Sequence, residues 1–367
     1  MLLFFLLFSL LSSKDILLIT LDTTRADYIT REYSPFLYSF SQKSFNFKNC
    51  RTPVPLTLPA HTSILTGLYP KNHKVRNNSS YKLKNEVLTL QEILKKNGYF
   101  NAAFVSSFVL NSSFNLNKGF DIYDDEMLEN YDRKDFEMQE RGARDTSKRA
   151  LEFLENFKGE KLFLWVHFFD PHYPYLSHPE SPQNFSTYAQ EIYFMDISVK
   201  ALVEKFLQKR GGIVVIAGDH GESLGEHGEE THGIFLYEAV LKVPLIIKFP
   251  EKGGMVFEEP VLLIDIFPTI LDYLKIDAPK TIDGISLLKN LGKRDFYFET
   301  FLPSQSFGWA TPFGIFDGKY KFIYLPKMEL YNLEKDKGEK VNLLGREKEK
   351  GKEFLKKLKN NYTIEYE

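Results

Sequence analysis

Short apolar runs alternate along most of the chain with segments in which apolar residues recur every three or four positions. The apolar runs have the length of buried strands, and most of them end in polar residues: "KDILLITLD", "YFNAAFVSS", "KLFLWVHFFD", "GIVVIAGDH" and "VPLIIKFP". Helical spacing is found in "LTLQEILKKNG", which stops at Gly98, in "YAQEIYFMDISVKALVEKFLQKR", and after Asp265 in "VLLIDIFPTILDYL". This alternation predicts an α/β fold, namely an α/β/α sandwich around a mostly parallel central sheet.

The pattern changes after about residue 290. The segments "RDFYFETF", "FGIFDGKYKFIYL" and "MELYNLEKD" predict antiparallel strands, with a tight turn at Asp317 and Gly318. The Lys/Glu-rich stretch "GREKEKGKEFLKKLKNN" that follows predicts a helix with a solvated face. We therefore expect a main domain over residues 14–290 and a small antiparallel C-terminal subdomain over residues 291–367.

The composition of the chain argues against nucleic acid as a partner and against an internal disulfide. The 367 residues are 43% hydrophobic and 26% charged, as in an ordinary folded protein, and the formal net charge is −2. Because no global positive field would attract it, nucleic acid is not expected as a partner. Cys50 is the only cysteine, so the chain cannot form an internal disulfide.

The N-terminus reads "MLLFFLLFSLLSSK". Its apolar run is shorter than the roughly 20 residues of a membrane span and resembles the core of a signal peptide, with small residues near a cleavage point. We predict a signal peptide over residues 1–13 and export to the periplasm or another extracytoplasmic compartment. The alternative is a buried N-terminal segment. Later runs are too short to predict a further membrane anchor.

Polar residues that could bind a ligand or take part in catalysis follow three of the predicted strands. They are Asp22, the segment from His167 to His172, and the pair Asp219 and His220. The carboxyl ends of parallel strands share one edge of a sheet, which is where such folds bind ligands. The third segment continues as "GDHGESLGEHGEETHG", in which glycines permit close backbone approach and Asp, Glu and His supply metal ligands. The alternative interpretation of this segment is a solvated acidic loop.

The stretch "PLTLPAHTSILTGLYP" places Thr57 directly before an apolar helical run. In one interpretation the threonine and the prolines only begin the helix. In the other, Thr57 is a nucleophile at a helix N-terminus, where backbone N–H groups and the helix dipole favour an anion. Because one geometry serves both roles, this stretch alone does not separate them.

Together these segments resemble the sulfatase family of the alkaline phosphatase superfamily, over nearly all of the chain after residue 14. The resemblance rests on these motifs in this order: "LLITLDTTRAD", "TLPAHTSILTGLYP", "LQEILKKNGYFNAAFV", "FLWVHFFDPHYPY", "GDHGESLGEHG", "YEAVLKVPLIIKFP" and "ELYNLEKDKGEKVNLL". It implies a divalent metal held by Asp22, Asp219, His220 and Thr57. This donor set favours Zn²⁺ or Mn²⁺, while the sulfatase likeness keeps Ca²⁺ as an alternative.

The chain departs from the sulfatase pattern at the nucleophile. Sulfatases carry a Cys or Ser that is oxidised to formylglycine and followed by x-Pro-Ser-Arg, whereas this chain has Thr57 and, in place of the arginine, His61. Threonine cannot give that aldehyde. The Lys and His of a "KWHLG"-like run, which bind sulfate in the family, are replaced by "VSSFVL". We expect His61 either to orient Thr57 or simply to pack.

A threonine at this position is found in other branches, and the chain is also similar to phosphoethanolamine transferases and to phosphonate and phosphodiester hydrolases. By that likeness His172 and His232 would hold a second metal, bind the substrate anion or protonate the leaving alkoxide. Asn78, placed like an asparagine of the phosphonate hydrolases, would contact the transferred group. The transferases carry several transmembrane helices, for which this sequence offers no candidate.

The resemblance implies a metal-dependent hydrolase of phosphate, phosphonate or sulfate esters that acts through a covalent Thr57 intermediate, with phosphorus esters favoured. The substrate would be an anionic ester, either a small molecule or one linked to a glycan or a lipid. Three alternatives stay open: a sulfatase that works without formylglycine, a phosphoethanolamine-type transferase, and a non-catalytic protein that binds a metal or an anion.

Overall fold

A computed structural model describes residues 14–78, 80–127 and 140–361. The predicted signal peptide therefore lies outside the described residues. The strands, in chain order, are β1 Ile16–Leu21, β2 Phe45–Phe47, β3 Cys50–Arg51, β4 Phe100–Phe104, β5 Ile122–Asp124, β6 Leu162–Phe168, β7 Ile213–Gly218, β8 Lys242–Val243, β9 Leu245–Lys248, β10 Met255–Phe257, β11 Val261–Leu262, β12 Phe296–Glu299, β13 Phe313–Phe316, β14 Tyr320–Tyr324 and β15 Glu329–Asn332.

The α-helices are α1 Pro35–Ser41, α2 Thr57–Thr66, α3 Pro70–His73, α4 Leu90–Lys96, α5 Ala143–Asn156, α6 Thr187–Lys209, α7 Glu238–Leu241, α8 Ile266–Leu274, α9 Leu302–Phe307 and α10 Lys348–Asn361. Helix α4 begins at a capping box, in which the backbone N–H of Thr89 donates to the Glu92 carboxylate at 3.0 Å. It ends before Gly98, whose φ of 81° lies in the left-handed region. Among the described residues, none of the helices combines the length and apolarity that a membrane crossing requires.

The central sheet has eight strands in the order β10-β2-β9-β7-β1-β6-β4-β5. Strand β1 pairs in parallel with β6 and β7, whereas β9 runs antiparallel to β7 and β2. Alternate residues of β1 enter different cores: Ile16 and Leu18 on one face, Leu17 and Ile19 on the other. Helices α2, α4 and α8 cover the first face and α1, α5 and α6 the second, so the predicted α/β/α sandwich is confirmed.

A separate antiparallel sheet, in the order β12-β13-β14-β15, follows the main sheet, as the sequence predicted. Strands β13 and β14 are joined at Asp317 and Gly318, where Gly318 has a φ of 99°. Helix α10 packs Phe354 and Leu358 into the core of this sheet, which also contains Leu236 and Val240. Because that core includes residues from before position 290, the exact domain boundary stays a prediction. A short three-stranded sheet, β11-β3-β8, is also present.

Candidate functional site

Three neighbouring strands bring the predicted site residues to one edge of the central sheet. Strand β1 lies between β7 and β6, and its last residues are in register with theirs, so that Thr20 is opposite His167. Asp22 comes directly after β1 and Asp219 directly after β7. Since the three strands are parallel, their carboxyl ends place these side chains together at the edge of the sheet.

Asp22, Asp219 and His220 form the centre of the site, and all three are fully buried. A carboxylate oxygen from each aspartate and a ring nitrogen of His220 lie within 4.8 Å of one another. His220 Nε2 is 3.5 Å from Asp22 Oδ1 and 3.6 Å from Asp219 Oδ2. Both oxygens of Asp22, and Oδ2 of Asp219, have no hydrogen-bond partner. Buried carboxylate oxygens without donors are the expected result when the partner is a cation.

Two backbone N–H groups fix the orientation of the Asp219 carboxylate. Its Oδ1 accepts from the N–H of His220 at 2.7 Å and from the N–H of Thr23 at 3.2 Å, which leaves Oδ2 facing the centre. Thr23 has a φ of 48°, a strained conformation for a β-branched residue, and its carbonyl accepts from the Tyr188 hydroxyl at 2.8 Å. Gly221 allows the carbonyl of Ala239 to approach, since a Cβ there would lie 2.0 Å from that oxygen.

The pKa values of these three groups show how burial affects their ionisation. Burial raises the pKa of Asp22 to about 8, against opposing effects that include His232 and Thr57. Burial, together with the neighbouring Asp22 carboxylate, raises the pKa of Asp219 well above its usual value. Burial also lowers the pKa of His220 well below its usual range, so its imidazole is neutral. Two buried carboxylates beside a neutral imidazole require a cation to stay ionised.

The donor set fits a transition metal or Zn²⁺. Zn²⁺ binds carboxylate oxygen and imidazole nitrogen at about 2.0–2.2 Å, which agrees with donors grouped this closely. A metal-bound histidine usually donates its other N–H to a backbone carbonyl, and Nδ1 of His220 lies 3.0 Å from the carbonyl oxygen of Gly221. A nitrogen donor favours Zn²⁺ or Mn²⁺ over Ca²⁺, which prefers oxygen ligands alone. The residues would therefore accept the metal that the sequence implies.

Thr57 is the first residue of α2 and is buried beside this centre. Its Oγ1 lies 3.3 Å from His220 Nε2. Because Nδ1 of His220 donates to the Gly221 carbonyl, Nε2 is the acceptor and the Thr57 hydroxyl donates to it. The hydroxyl oxygen is thus held at the edge of the carboxylate cluster, where a metal ligand or a nucleophile would be.

The expected anion-binding N–H groups of α2 are mostly in use. The N–H of Leu58 donates to Asn78 Oδ1 at 2.9 Å, and the N–H of Ala60 donates to the Leu56 carbonyl at 3.0 Å. Between them, Pro59 has no N–H. The N–H groups of Leu58 and Ala60 are therefore not free for an anion, whereas the dipole of the helix still favours one at its N-terminus.

Asn78 lies against the start of α2, twenty-one residues after Thr57. Its Oδ1 accepts from Leu58, and its backbone N–H donates to Asn77 Oδ1 at 2.9 Å. Its Nδ2 has no acceptor among the described residues. The amide is thereby oriented by its oxygen, with its N–H groups left as donors next to Thr57.

His61 and His167 lie under the carboxylates. His61 Nδ1 is 2.8 Å from the carbonyl oxygen of Thr57 and 3.6 Å from Asp219 Oδ2. His167 Nε2 is 3.3 Å from Asp22 Oδ2. Burial lowers the pKa of both rings, that of His167 to about 3. The expected alternatives for His61 were orientation of Thr57 and packing, and its hydrogen bond to the Thr57 carbonyl agrees with the first.

His172 and His232 face each other on the outer side of the site, with ring centroids 5.0 Å apart. The His232 ring is also 4.4 Å from that of His220. Burial lowers the pKa of His232, but the Glu222 carboxylate, 2.8 Å from its Nδ1, outweighs burial and raises the pKa to about 9. His172 is half-buried, and its Nδ1 donates to the Tyr173 carbonyl at 2.6 Å. A second metal at these two histidines stays a prediction.

Two residues of the site were not singled out from the sequence. The sequence pattern does not separate His167 from its segment, although it is the last residue but one of β6 and its Nε2 lies 3.3 Å from Asp22 Oδ2. Glu222 was one acidic residue among several in its loop. Two further residues of this loop, Glu226 and His227, make contacts outside the site. Glu226 forms an ion pair with Arg25 at 2.7 Å, and the His227 ring stacks on Tyr237 with ring centroids 3.6 Å apart.

Comparison with known proteins agrees with the motifs. The chain matches the sequence profile of the family described as Sulfatase over residues 14–276, and that of the N-sulphoglucosamine sulphohydrolase C-terminal region over residues 225–365. It is similar to an arylsulfatase of Clostridium perfringens (strain 13 / Type A), with 32% identity over 156 residues, or 40% of this chain. The matched regions span 32% and 41% of the lengths of the first two curated relatives.

The fold has close structural neighbours. One is BT4656, solved in complex with its substrate D-glucosamine-2-N,6-O-disulfate, with a TM-score of 0.78, 19% identity, and coverage of 95% of this chain and 97% of that one. Another is the phosphonate monoester hydrolase SpPMH from Silicibacter pomeroyi, with a TM-score of 0.76, 18% identity and 96% coverage of both chains. At these identities the likeness concerns the fold. Because the Sulfatase profile matches most of the chain, this protein belongs to the sulfatase family.

Proposed function

We propose that the protein is a metal-dependent hydrolase of anionic esters in which Thr57 forms a covalent intermediate, with phosphate and phosphonate esters preferred to sulfate esters. The observation that carries this proposal is the position of the Thr57 hydroxyl, 3.3 Å from His220 Nε2 and beside two buried carboxylates. A threonine that only began its helix would not need to be buried against three side chains that could bind a metal.

Asp22, Asp219, His220 and Thr57 would hold the metal. When bound, a divalent cation lowers the pKa of a coordinated hydroxyl and neutralises negative charge that develops on a transferred phosphoryl or sulfuryl group. The protein's own contribution is to fix the Thr57 oxygen. Helix α2 and the hydrogen bond from His61 to the Thr57 carbonyl hold the backbone at that point.

Thr57, with the pKa of its hydroxyl lowered by coordination, would release its proton to solvent. The covalent step would then form a bond between Thr57 Oγ1 and phosphorus while the bond from phosphorus to the leaving oxygen breaks. His232 carries a proton at neutral pH because of Glu222, and it can give that proton to the leaving oxygen. Asn78 Nδ2 would donate to an oxygen of the transferred group. Water would then attack phosphorus and give a proton back to the neutral His232, while the bond from phosphorus to Thr57 Oγ1 breaks and the oxygen stays on Thr57.

Preference for phosphorus follows from the nucleophile. Family sulfatases release sulfate by elimination from an aldehyde hydrate, and the substituted carbon of Thr57 cannot supply that route. A phosphothreonine can be hydrolysed by attack at phosphorus without it. The neighbour SpPMH, a phosphonate monoester hydrolase, agrees with this preference. The second candidate, a sulfatase acting without formylglycine on a glycan-linked ester, is favoured by the family match and by the neighbour solved with a sulfated sugar.

The test is intact-protein mass spectrometry of the metal-loaded chain after brief incubation with four p-nitrophenyl esters: a phosphate monoester, a phosphodiester, a phosphonate and a sulfate. Released nitrophenol is measured in parallel, because phosphate and sulfate adducts have nearly equal nominal mass. Thr57→Val is the matched control that keeps the side-chain shape without the hydroxyl. Thr57→Ser keeps the hydroxyl without the methyl group.

We expect turnover and an adduct with a phosphorus ester, retained activity in Thr57→Ser, and a loss of at least about a thousandfold in Thr57→Val. Turnover confined to the sulfate ester would overturn the preference for phosphorus and support the sulfatase alternative. Turnover that appears only when an acceptor alcohol is added would indicate a transferase. Unchanged turnover in Thr57→Val would refute the covalent role of Thr57.

A further inference from the structure

With the two histidines beneath the carboxylates, the site has more potential metal ligands than a single ion would use. A ring nitrogen of His61, a ring nitrogen of His167 and a carboxylate oxygen of Asp219 lie within 4.8 Å of one another. This group shares Asp219 with the group of Asp22, Asp219 and His220. All of these side chains are fully buried. The site therefore contains two overlapping sets of donors rather than one.

Hydrogen bonding assigns the lone pair of His61. Its Nδ1 lies 2.8 Å from the carbonyl oxygen of Thr57, and a carbonyl oxygen can only accept. Nδ1, which is also the His61 nitrogen that lies 3.6 Å from Asp219 Oδ2, therefore carries the proton, and Nε2 carries the lone pair. That Nε2 is buried without a hydrogen-bond partner. A histidine that donates one N–H to a backbone carbonyl and presents its other nitrogen unpaired has the arrangement usual for a metal ligand.

The same reasoning assigns His167. The hydroxyl of Ser106 donates its only proton to the carbonyl oxygen of His167. His167 Nδ1, 3.2 Å from Ser106 Oγ, must therefore be the donor in that second contact. His167 Nε2 then has a lone pair, no hydrogen-bond partner, and Asp22 Oδ2 at 3.3 Å. Two electron-rich atoms facing each other in a buried site repel unless a positive charge lies between them.

A single ion does not use all of these donors. A catalytic Zn²⁺ takes about three or four protein ligands, and Asp22, Thr57, Asp219 and His220 already supply that number. The second oxygen of Asp22 and the nitrogens of His61 and His167 are additional. In paired-metal sites, ions about 3.5–4 Å apart share carboxylate ligands. Asp219, common to both sets, is placed to be such a shared ligand.

We propose that His61, His167 and Asp219 hold a second divalent cation, of the imidazole-binding class of Zn²⁺ or Mn²⁺, beneath the cation at Asp22, Asp219 and His220. This inference rests on the proposed function, since it takes the first cation as given. It assigns His61 and His167 as ligands, and it differs from the expectation that His172 and His232 hold a second metal. The charge of a second cation would also balance the anionic substrate.

The test is metal stoichiometry of the full chain, with a readout that does not depend on activity. Protein that has been freed of metal with a chelator is dialysed against Zn²⁺ or Mn²⁺. The number of metal ions bound per chain is then measured by elemental mass spectrometry. Spin coupling between two Mn²⁺ ions is followed by electron paramagnetic resonance. His61→Gln and His167→Gln are compared with His227→Ala, which changes a histidine that stacks on Tyr237 away from the cluster. Circular dichroism checks that each variant is folded.

We expect two metals per wild-type chain and per His227→Ala chain, one metal in each of the other two variants, and a coupled Mn²⁺ signal only where two are bound. One metal in the wild type, unchanged in His61→Gln and His167→Gln, would overturn the inference and indicate a proton shared between Asp22 and His167. Turnover of a p-nitrophenyl ester by that one-metal protein would leave the proposed function intact. Binding of two metals by the wild type, with one of them lost only in His172→Gln or His232→Gln, would also overturn the inference.

Discussion

Removing the metal should make the stability of the protein depend strongly on pH, and Asp22 should be the main cause. Burial raises the pKa of this carboxyl from 3.8 to about 8 when no cation is present. Between these values the folded chain keeps a proton that the unfolded chain has released. Stability of the metal-free protein therefore falls as pH rises through this window, because the unfolded state is favoured by deprotonation.

The size of the effect follows from the two pKa values. At about 1.36 kcal/mol per pH unit, the full window from 3.8 to about 8 corresponds to about 6 kcal/mol, and the range from pH 5 to pH 8 to about 4 kcal/mol. Asp219, whose pKa is raised by burial and by Asp22, acts in the same direction. Domains are stable by only about 5–15 kcal/mol, so the metal-free protein should be close to unfolding at pH 8.

The assay is urea unfolding of chelated and metal-loaded protein at pH 5, 6, 7 and 8, followed by tryptophan fluorescence. Other buried acids with raised pKa values, such as Glu229 at about 7, titrate in both forms and cancel in the comparison. Asp22→Asn is the control, since it removes this titrating group and should make the stability of the chelated protein less dependent on pH. Equal loss of stability with pH in chelated and loaded protein, or in chelated Asp22→Asn, would refute this reasoning.

Two further predictions concern the geometry around the site. Gly221→Ala would put a Cβ 2.0 Å from the Ala239 carbonyl oxygen, so metal affinity should fall about 10–100-fold. Gly142→Ala, which meets no atom within 4 Å, should leave the affinity measured by competitive chelation unchanged. Glu222→Gln removes the carboxylate that raises the pKa of His232 to about 9. The alkaline limb of the kcat/KM profile should then move down by about one pH unit or more, and an unmoved limb would exclude His232 as the acid.

Much of the fold was predictable because β1 and β7, at the centre of the main sheet, are apolar over most of their length and are followed directly by Asp22 and Asp219. Strands β1 and β7 are buried on both faces, which makes the end of each run easy to see. Their common direction then brings Asp22 and Asp219 together without any knowledge of packing. The antiparallel direction of β9 was not predictable, since its apolar sequence suits either direction.

Details of the site depend on contacts between distant parts of the chain, which sequence pattern does not report. The pairing of Glu222 with His232 joins residues ten apart across a loop. The hydrogen bond from Leu58 to Asn78 removes a donor that the helix N-terminus was expected to offer. The lone pair of His167 is assigned only through Ser106, which is sixty-one positions away. Each depends on loop conformation, and loops have no period to read.

The departures from the sulfatase pattern belong together when the charges of the site are considered. By resemblance, sulfatases place an arginine near the nucleophile and a lysine and histidine near the sulfate, whereas this chain has His61 and "VSSFVL" at those positions. His61 is buried with its Nε2 unpaired, so in the proposed second metal site it would replace a fixed positive charge with a ligand for a cation. A phosphate monoester carries more negative charge than a sulfate ester. A site that exchanges cationic side chains for metal ligands can supply two positive charges per ion, which suits the more highly charged ester.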